Sequence, residues 1–164
     1  MNSNVKKMVI CAMGIAITVL LTSFFSLPIT SNGYINLGDI GVLLFAQLFG
    51  PGVGLIVGAI GSSLSDILLS FAVYAPFSLI VKGIEGLIAG YLLKAGKIKN
   101  IFVINVLSTC FMVIGYFLSE VFLYGSAAAI LSLPANLVQA LVCSIVAALI
   151  YSMLKNSGAI NRIS

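Results

Sequence analysis

Five charged side chains lie inside or at the ends of long apolar segments, namely Asp39, Asp66, Lys82, Glu85 and Glu120. They include all four acids of a 164-residue chain in which only 7% of the residues are charged. A charge at the centre of a membrane helix costs on the order of 3 kcal/mol on insertion scales. Such side chains face the interior of a bundle or a wet cavity, so they are candidates for binding a polar ligand.

The spacing of these residues places them on shared helix faces. Lys82 and Glu85 are three residues apart and can pair with each other, either as a structural ion pair or as a pair that also contacts a ligand. Tyr116, Glu120 and Tyr124 recur at every fourth position. This stripe sets one carboxylate between two aromatic rings and favours ligand contact over simple packing.

Two amides and two acids complete the set of unusual polar residues. Asn136 and Gln139 are three residues apart, and amides are costly to bury without partners, which favours a binding role for both. Asp39 follows a glycine near the start of a helix, where it can either cap that helix or serve the site. Asp66 follows several serines, and we expect it mainly to satisfy hydrogen bonds between helices.

Several classes of chemistry are excluded by composition. The chain has no histidine, and its three cysteines stand alone within apolar runs, so nucleophilic Ser-His or Cys-His catalysis is excluded. No spacing typical of metal ligands is present, and we expect neither a metal nor a cofactor. There is no Gly-x-x-x-x-Gly-Lys-Ser/Thr loop, so any dependence on ATP must come from partner proteins. We therefore expect a protein that is not an enzyme.

The composition indicates that lipid surrounds most of the chain. Hydrophobic residues make up 61% of the sequence, and the mean hydropathy is +1.23. Soluble domains carry roughly 25% charged residues. The net charge of +4 is explained by basic cytoplasmic loops, which membrane proteins commonly have, so we discard a nucleic-acid partner.

The positions of the cations predict the number of membrane crossings. Seven of the eight form three clusters: Lys6 and Lys7; Lys94, Lys97 and Lys99; Lys155 and Arg162. The positive-inside rule places all three clusters in the cytoplasm, so an even number of helices separates each pair. The first interval has room for four helices of about 20 residues and the second for two.

We therefore predict an all-α integral membrane protein, a compact bundle of six transmembrane helices with both termini cytoplasmic. The whole chain, 1–164, forms one domain. The predicted spans are 8–27, 36–49, 53–71, 76–94, 101–124 and 134–154. The second is short for a full crossing, and it either begins in the preceding loop, tilts little or is shielded by its neighbours.

On this topology the polar residues converge in the outward half of the bundle. The polar segment 28–36 faces the same side and is expected to cover the pocket as a loop. We predict a substrate pocket lined by Tyr34, Asn36, Lys82, Glu85, Tyr116, Glu120, Tyr124, Asn136 and Gln139. Three interior acids near one lysine favour a neutral or weakly cationic heteroaromatic ligand, with tyrosines available for stacking.

The order of several short motifs points to a family. The chain carries Ala12-x-x-x-Ala16, NLGD at 36–39, GPGVG at 50–54, SSLSD at 62–66, KGIEG at 82–86 and LPANLVQ at 133–139. Together with six predicted helices and basic ends, this pattern resembles the substrate-binding S components of energy-coupling factor (ECF) vitamin transporters. The resemblance extends over nearly the whole chain.

The resemblance implies a multi-pass protein of a prokaryotic plasma membrane that captures a vitamin or vitamin precursor from outside. It also implies partners: a membrane coupling protein and two cytoplasmic ATPases, with which the S component topples to release its substrate inward. Ala12 and Ala16 match the small residues that pack the first helix on the coupling protein. A pyridine or pyrimidine compound is favoured, such as pyridoxine or hydroxymethylpyrimidine, and riboflavin stays open.

Two other classes of function fit the same residues. An autonomous proton-coupled carrier would use Glu120 or Asp66 as its protonation site and would transport without ATPases. A structural or assembly protein would use its buried polar groups only to fix helix packing and would bind no small molecule.

Overall fold

Helices account for nearly all of the secondary structure. The computed structural model describes residues 3–30, 33–158 and 160, so Arg162 of the last basic cluster lies outside the described residues. The elements are α1 Ser3–Phe24, β1 Leu27–Thr30, β2 Gly33–Ile35, α2 Gly38–Phe49, α3 Pro51–Leu68, α4 Ala75–Ala95, α5 Ile101–Tyr124 and α6 Ser126–Asn156.

Five of the six helices, all except α2, are long and apolar enough to cross a membrane. The predicted all-helical membrane fold is confirmed. Helix α2 has 12 residues, which span about 18 Å, whereas the hydrocarbon core is about 30 Å thick. It packs against α1, α3, α4 and α6. Its Val42, Leu43 and Ala46 are completely buried, so neighbouring helices cover a segment too short to cross alone.

Glycines mark two of the sharp turns between helices. Gly50 has a φ of 94° and separates α2 from α3, where Pro51 occupies the first turn. Gly125 has a φ of 88° and separates α5 from α6. Both values lie in a region that side chains with a Cβ rarely adopt, which explains why each helix ends at a glycine.

The last helix begins at Ser126, whereas the sequence predicts a start at Pro134. Pro134 lies inside the helix, where it removes one main-chain hydrogen bond. The earlier start is stabilised by burial, because Ala129 and Ser132 in the additional turns are buried in the bundle. Small residues that resemble a loop in the sequence are therefore helical here.

The predicted loop at 28–36 is largely an antiparallel hairpin. Leu27 pairs with Ile35 and Pro28 pairs with Tyr34 across β1 and β2. The hairpin connects α1 to α2 and also contacts α6. Main-chain pairing joins β1 to β2, so the described residues of these strands can hold side chains in defined positions over the bundle.

Close approach of α3 and α4 depends on glycine. A Cβ added at Gly86 would collide with the carbonyl group of Gly54, and one added at Gly58 would collide with the carbonyl group of Lys82. Lipid supplies no hydrophobic driving force between helices, so small residues that allow tight packing are the usual solution. The backbone of Lys82 is therefore held directly against α3.

We predict different effects on stability for two glycine-to-alanine changes. Gly86→Ala should lower the free energy of unfolding by about 1–3 kcal/mol, because the new methyl group forces α3 and α4 apart. Gly52→Ala has nothing within 4 Å of the added carbon and should be neutral or slightly stabilising. Thermal unfolding in detergent measures both, and equal midpoints would contradict the tight helix contact.

Candidate functional site

A polar cavity lies beneath the hairpin, between α3, α5 and α6. The cavity volume is about 30 Å³, within a depression that contains about 370 Å³ of space not filled by protein when the open solvent in front of it is included. Its walls are formed by β2 and the following Asn36, by helices α3, α5 and α6, and by Tyr74 just before α4. The lining residues are Gly33, Tyr34, Asn36, Asp66, Tyr74, Tyr116, Glu120, Asn136 and Gln139.

Two carboxylates face this cavity. The Tyr34 hydroxyl donates to Asp66 Oδ1 at 2.6 Å, which joins the hairpin to α3. The other oxygen of Asp66, Oδ2, is buried without a hydrogen-bond partner among the described residues. On the opposite side, the Ser132 hydroxyl donates to Glu120 Oε2. The cavity therefore offers carboxylate oxygens that can accept hydrogen bonds from a ligand.

The environment of Tyr34 keeps its phenol protonated. Burial raises the pKa of Tyr34 above its ordinary value, and the negative charge of Asp66 raises it further. A protonated phenol can donate to a carboxylate, as this one does. The ring also lies 4.8 Å from that of Phe71, measured between centroids. These contacts fix the hairpin side of the cavity.

Aromatic rings form another part of the wall. The centroid of Tyr74 lies 6.5 Å from that of Tyr116 and 6.0 Å from that of Tyr124. The hydroxyl groups of Tyr116 and Ser78 are 2.7 Å apart and share a hydrogen bond. Two of these rings, Tyr74 and Tyr116, line the cavity. A flat aromatic ligand can stack or pack edge-on against such rings.

A buried ion-pair cluster supports the cavity from behind. Lys82 pairs with Asp39 and lies 3.1 Å from Glu85 Oε2, with both acids almost inaccessible to solvent. Its Nζ is 5.5 Å from the centroid of the Tyr116 ring. The lysine charge is therefore neutralised within the protein, next to the cavity but not in its wall.

Gln139 connects this cluster to the hairpin. Its Nε2 donates to Asp39 Oδ2 at 2.8 Å, and its Oε1 accepts from the main-chain N–H of Asn36 at 2.8 Å. The Asn36 side chain in turn accepts from the N–H of Gly38 at 2.8 Å. Because both ends of the amide are used, the orientation of Gln139 is fixed. A continuous path of polar contacts thus runs from α4 to the end of β2.

The structure brings together most of the residues predicted for the pocket. Six of them line the cavity: Tyr34, Asn36, Tyr116, Glu120, Asn136 and Gln139. Lys82 and Glu85 do not, because each has its charge partner within the buried cluster. Tyr124 also lies outside the lining and packs on Tyr74 with 37% of its surface exposed.

Three residues that line or support the site lie outside the predicted pocket set, although a role in the site was open for Asp39 and Tyr74 was one of the tyrosines expected to be available for stacking. Asp39 does not act as the cap of α2, since its carboxylate contacts Lys82 and Gln139 instead. Asp66 lines the cavity, whereas the sequence favoured hydrogen bonding between helices as its main role. Tyr74 lies in the segment between α3 and α4, away from the helical faces. The apolar segments contain four acids but only one lysine, and this excess of acids was the sequence feature that pointed to a role of Asp39 and Asp66 in the site.

A second buried polar cluster joins α2, α5 and α6. Gln47 donates to Asn105, and Asn105 donates to the main-chain oxygen of Ser144 at 3.0 Å. The hydroxyl groups of Thr109 and Ser144 are 3.1 Å apart. These side chains bond mainly to one another and do not line the cavity, so they hold the bundle together below it.

The proposed docking residues lie on an open surface. Ala12 and Ala16 are exposed on α1, and so are their neighbours Met13 and Ile17. An apolar face with two small residues allows another membrane helix to approach closely. The surface is therefore accessible for a partner.

Comparison with known proteins identifies the family. The sequence model described as "ECF-type riboflavin transporter, S component" matches residues 2–156. The chain belongs to this family of ECF S components. The earlier resemblance is thereby confirmed. S components are multi-pass proteins of the plasma membrane and parts of transporters, not enzymes, and they work with an ECF module on a vitamin-type substrate.

Individual relatives of this S component agree with the assignment. It is 33% identical over 162 residues to the thiamine precursor transporter HmpT of Lactococcus lactis, covering 98% of this chain and 94% of the relative. A Pyrococcus woesei protein is 39% identical over 127 residues, covering 76% of this chain and 84% of the relative. A solved S component of a bacterial ECF transporter superposes with a TM-score of 0.75 at 26% identity, covering 94% and 98% of the two chains.

The ion-pair cluster predicts unequal effects for two lysine substitutions in the S component. Lys82→Met leaves two buried carboxylates without their cation and should destabilise the fold by about 3–5 kcal/mol. Lys94→Met, on the same helix but exposed, should change stability by less than about 0.5 kcal/mol. Thermal unfolding of the purified variants distinguishes them, and a stable Lys82→Met protein would contradict the supporting role of the cluster.

Proposed function

We propose that this S component captures a hydroxymethylpyrimidine-type precursor of thiamine from outside the cell and delivers it to an ECF module. The observation that carries the proposal is the small polar cavity, whose walls combine carboxylates, amides and aromatic rings. Its chemistry suits a flat heterocycle with amino and hydroxyl groups. The likeness to a thiamine precursor transporter over 98% of the chain supports the same choice.

Cavity size favours a single-ring ligand. Sites for drug-sized molecules have volumes of about 300–1,000 Å³, whereas the cavity volume here is about 30 Å³. One substituted pyrimidine ring requires less space than the three fused rings and sugar-alcohol chain of riboflavin. Riboflavin is the second candidate, because the matching family is described by that substrate. Pyridoxine is a third compound of suitable size and polarity.

The proposal extends to the partners. We infer that a membrane coupling protein packs on the α1 face that contains Ala12 and Ala16, and that two cytoplasmic ATPases supply the energy. This face is exposed and apolar, as a helix-docking surface requires. The basic residues at the ends of the helices indicate that both termini face the cytoplasm, where the ATPases would act.

Two measurements test the proposal against its alternatives. Mass spectrometry of mildly purified protein should identify a retained pyrimidine. Uptake into vesicles should require the ECF module and ATP. Transport by the S component alone would instead indicate an autonomous carrier. Failure to bind any of hydroxymethylpyrimidine, pyridoxine and riboflavin would favour a structural role.

Substitutions in the cavity should weaken binding without unfolding the bundle. Glu120→Gln and Asn136→Ala should each raise the Kd for hydroxymethylpyrimidine at least tenfold, because the first replaces a carboxylate of the lining with a neutral amide and the second removes an amide from it. That change corresponds to about 1.4 kcal/mol. Cys110→Ser, at an exposed position of α5, is the control and should bind normally in calorimetry. Unchanged affinity in both cavity variants would argue against this pocket.

A bulky residue on α1 should block assembly without affecting binding. In Ala12→Trp the large ring prevents close approach of a partner helix, so co-purification with the coupling protein should be lost while ligand affinity is retained. Leu149→Trp, which places the same ring on an exposed part of α6, should assemble normally. A complete complex from Ala12→Trp would show that docking occurs elsewhere.

A further inference from the structure

We propose that Asp66 selects the ligand by accepting hydrogen bonds from an amino group and an adjacent ring nitrogen of the heterocycle. This inference rests on the proposed function and deepens it, because it assigns the recognition of an aminopyrimidine to one carboxylate. Asp66 contributes to the cavity wall and is 4% exposed.

The hydrogen bonding of Asp66 is incomplete in the protein alone. Tyr34 occupies one site on Oδ1, and Oδ2 has no partner among the described residues. Ser78 lies next to Asp66, and its hydroxyl can donate to one carboxylate oxygen when it accepts from the Tyr116 hydroxyl, which leaves further acceptor positions of Asp66 open. A buried carboxylate oxygen without a donor is costly, since it has lost its water and gained nothing in exchange. A ligand that brings N–H groups to this position would remove that cost.

No lysine or arginine side chain belongs to the described cavity lining, which contains two acids. Lys82 is the nearest candidate, but Asp39 and Glu85 already hold its ammonium group. A cationic ligand would therefore supply the positive charge that the described lining does not offer to Asp66. This charge balance favours a compound that can carry a proton and disfavours one that presents only acceptor oxygens.

An aminopyrimidine has the required edge. Its exocyclic amino group lies beside a ring nitrogen, and when that nitrogen is protonated the two groups present parallel N–H donors. Such an edge matches the two oxygens of a carboxylate in the way that a guanidinium group does. Oδ1 can accept a second hydrogen bond besides that of Tyr34, because a carboxylate oxygen has two lone pairs. In the corresponding oxo compound a carbonyl oxygen replaces the amino donor and faces the carboxylate.

The test compares two pyrimidines that differ at one position. The Kd of 4-amino-5-hydroxymethyl-2-methylpyrimidine and that of its 4-oxo analogue are measured by calorimetry on the purified full-length chain. The wild-type protein should prefer the amino compound at least twentyfold. In Asp66→Asn the preference should fall to within about threefold, because a neutral amide removes the charge and keeps the size. Ser65→Ala is the control and should retain the preference, since that hydroxyl bonds to the Gly61 carbonyl on its own helix.

Equal affinity of the wild-type protein for the two pyrimidines would overturn the assignment of Asp66 without any variant. An undiminished preference in a folded Asp66→Asn protein would overturn it as well. Binding of riboflavin or pyridoxine in place of either pyrimidine would instead refute the proposed ligand. In that case the role of Asp66 is supported if Asp66→Asn weakens binding of that compound at least tenfold, and it is refuted if the Kd is unchanged.

Discussion

Lys82 carries its charge into the interior of the bundle, and the rest of the site depends on how that charge is neutralised. Asp39 from α2 and Glu85 from α4 surround the ammonium group. Replacing Lys82 alone would leave two buried acids without their cation, which is strongly destabilising. Through Gln139 the same cluster orients α6 and the end of the hairpin. The ion pair therefore sets the geometry of the cavity without lining it.

Close packing of the helices is the second requirement. The carbonyl group of Lys82 lies where a side chain at Gly58 would otherwise be, so α4 can approach α3 only because that position is glycine. This contact keeps Lys82 within reach of Asp39 and places Asp66 of α3 beside the hairpin residue Tyr34. Helix packing and polar recognition are thus coupled in one region. In a membrane subunit most of the surface is apolar, so a polar solute can be bound only where packed helices hold polar side chains together around a cavity.

Much of this arrangement follows from the sequence. Apolar runs and basic clusters predict a helical membrane bundle, and the isolated polar residues Glu120, Asn136 and Gln139, which the sequence assigns to a pocket, lie in the lining of one cavity. The sequence did not predict that Lys82 and Glu85 lie behind the cavity. Their spacing shows that they share a face of α4, but it does not show that Asp39 joins them from α2. The hairpin and the early start of α6 likewise depend on tertiary contacts that local composition does not reveal.

A crystal structure of the S component with the ligand retained during purification is the most direct test of the central claim. We expect density for a single-ring heterocycle beneath the hairpin, in contact with Asp66, Glu120 and Asn136, while the pairs of Lys82 with Asp39 and Glu85 stay intact. Ligand density between other helices, or a ligand bound directly to a Lys82 released from both acids, would contradict the account.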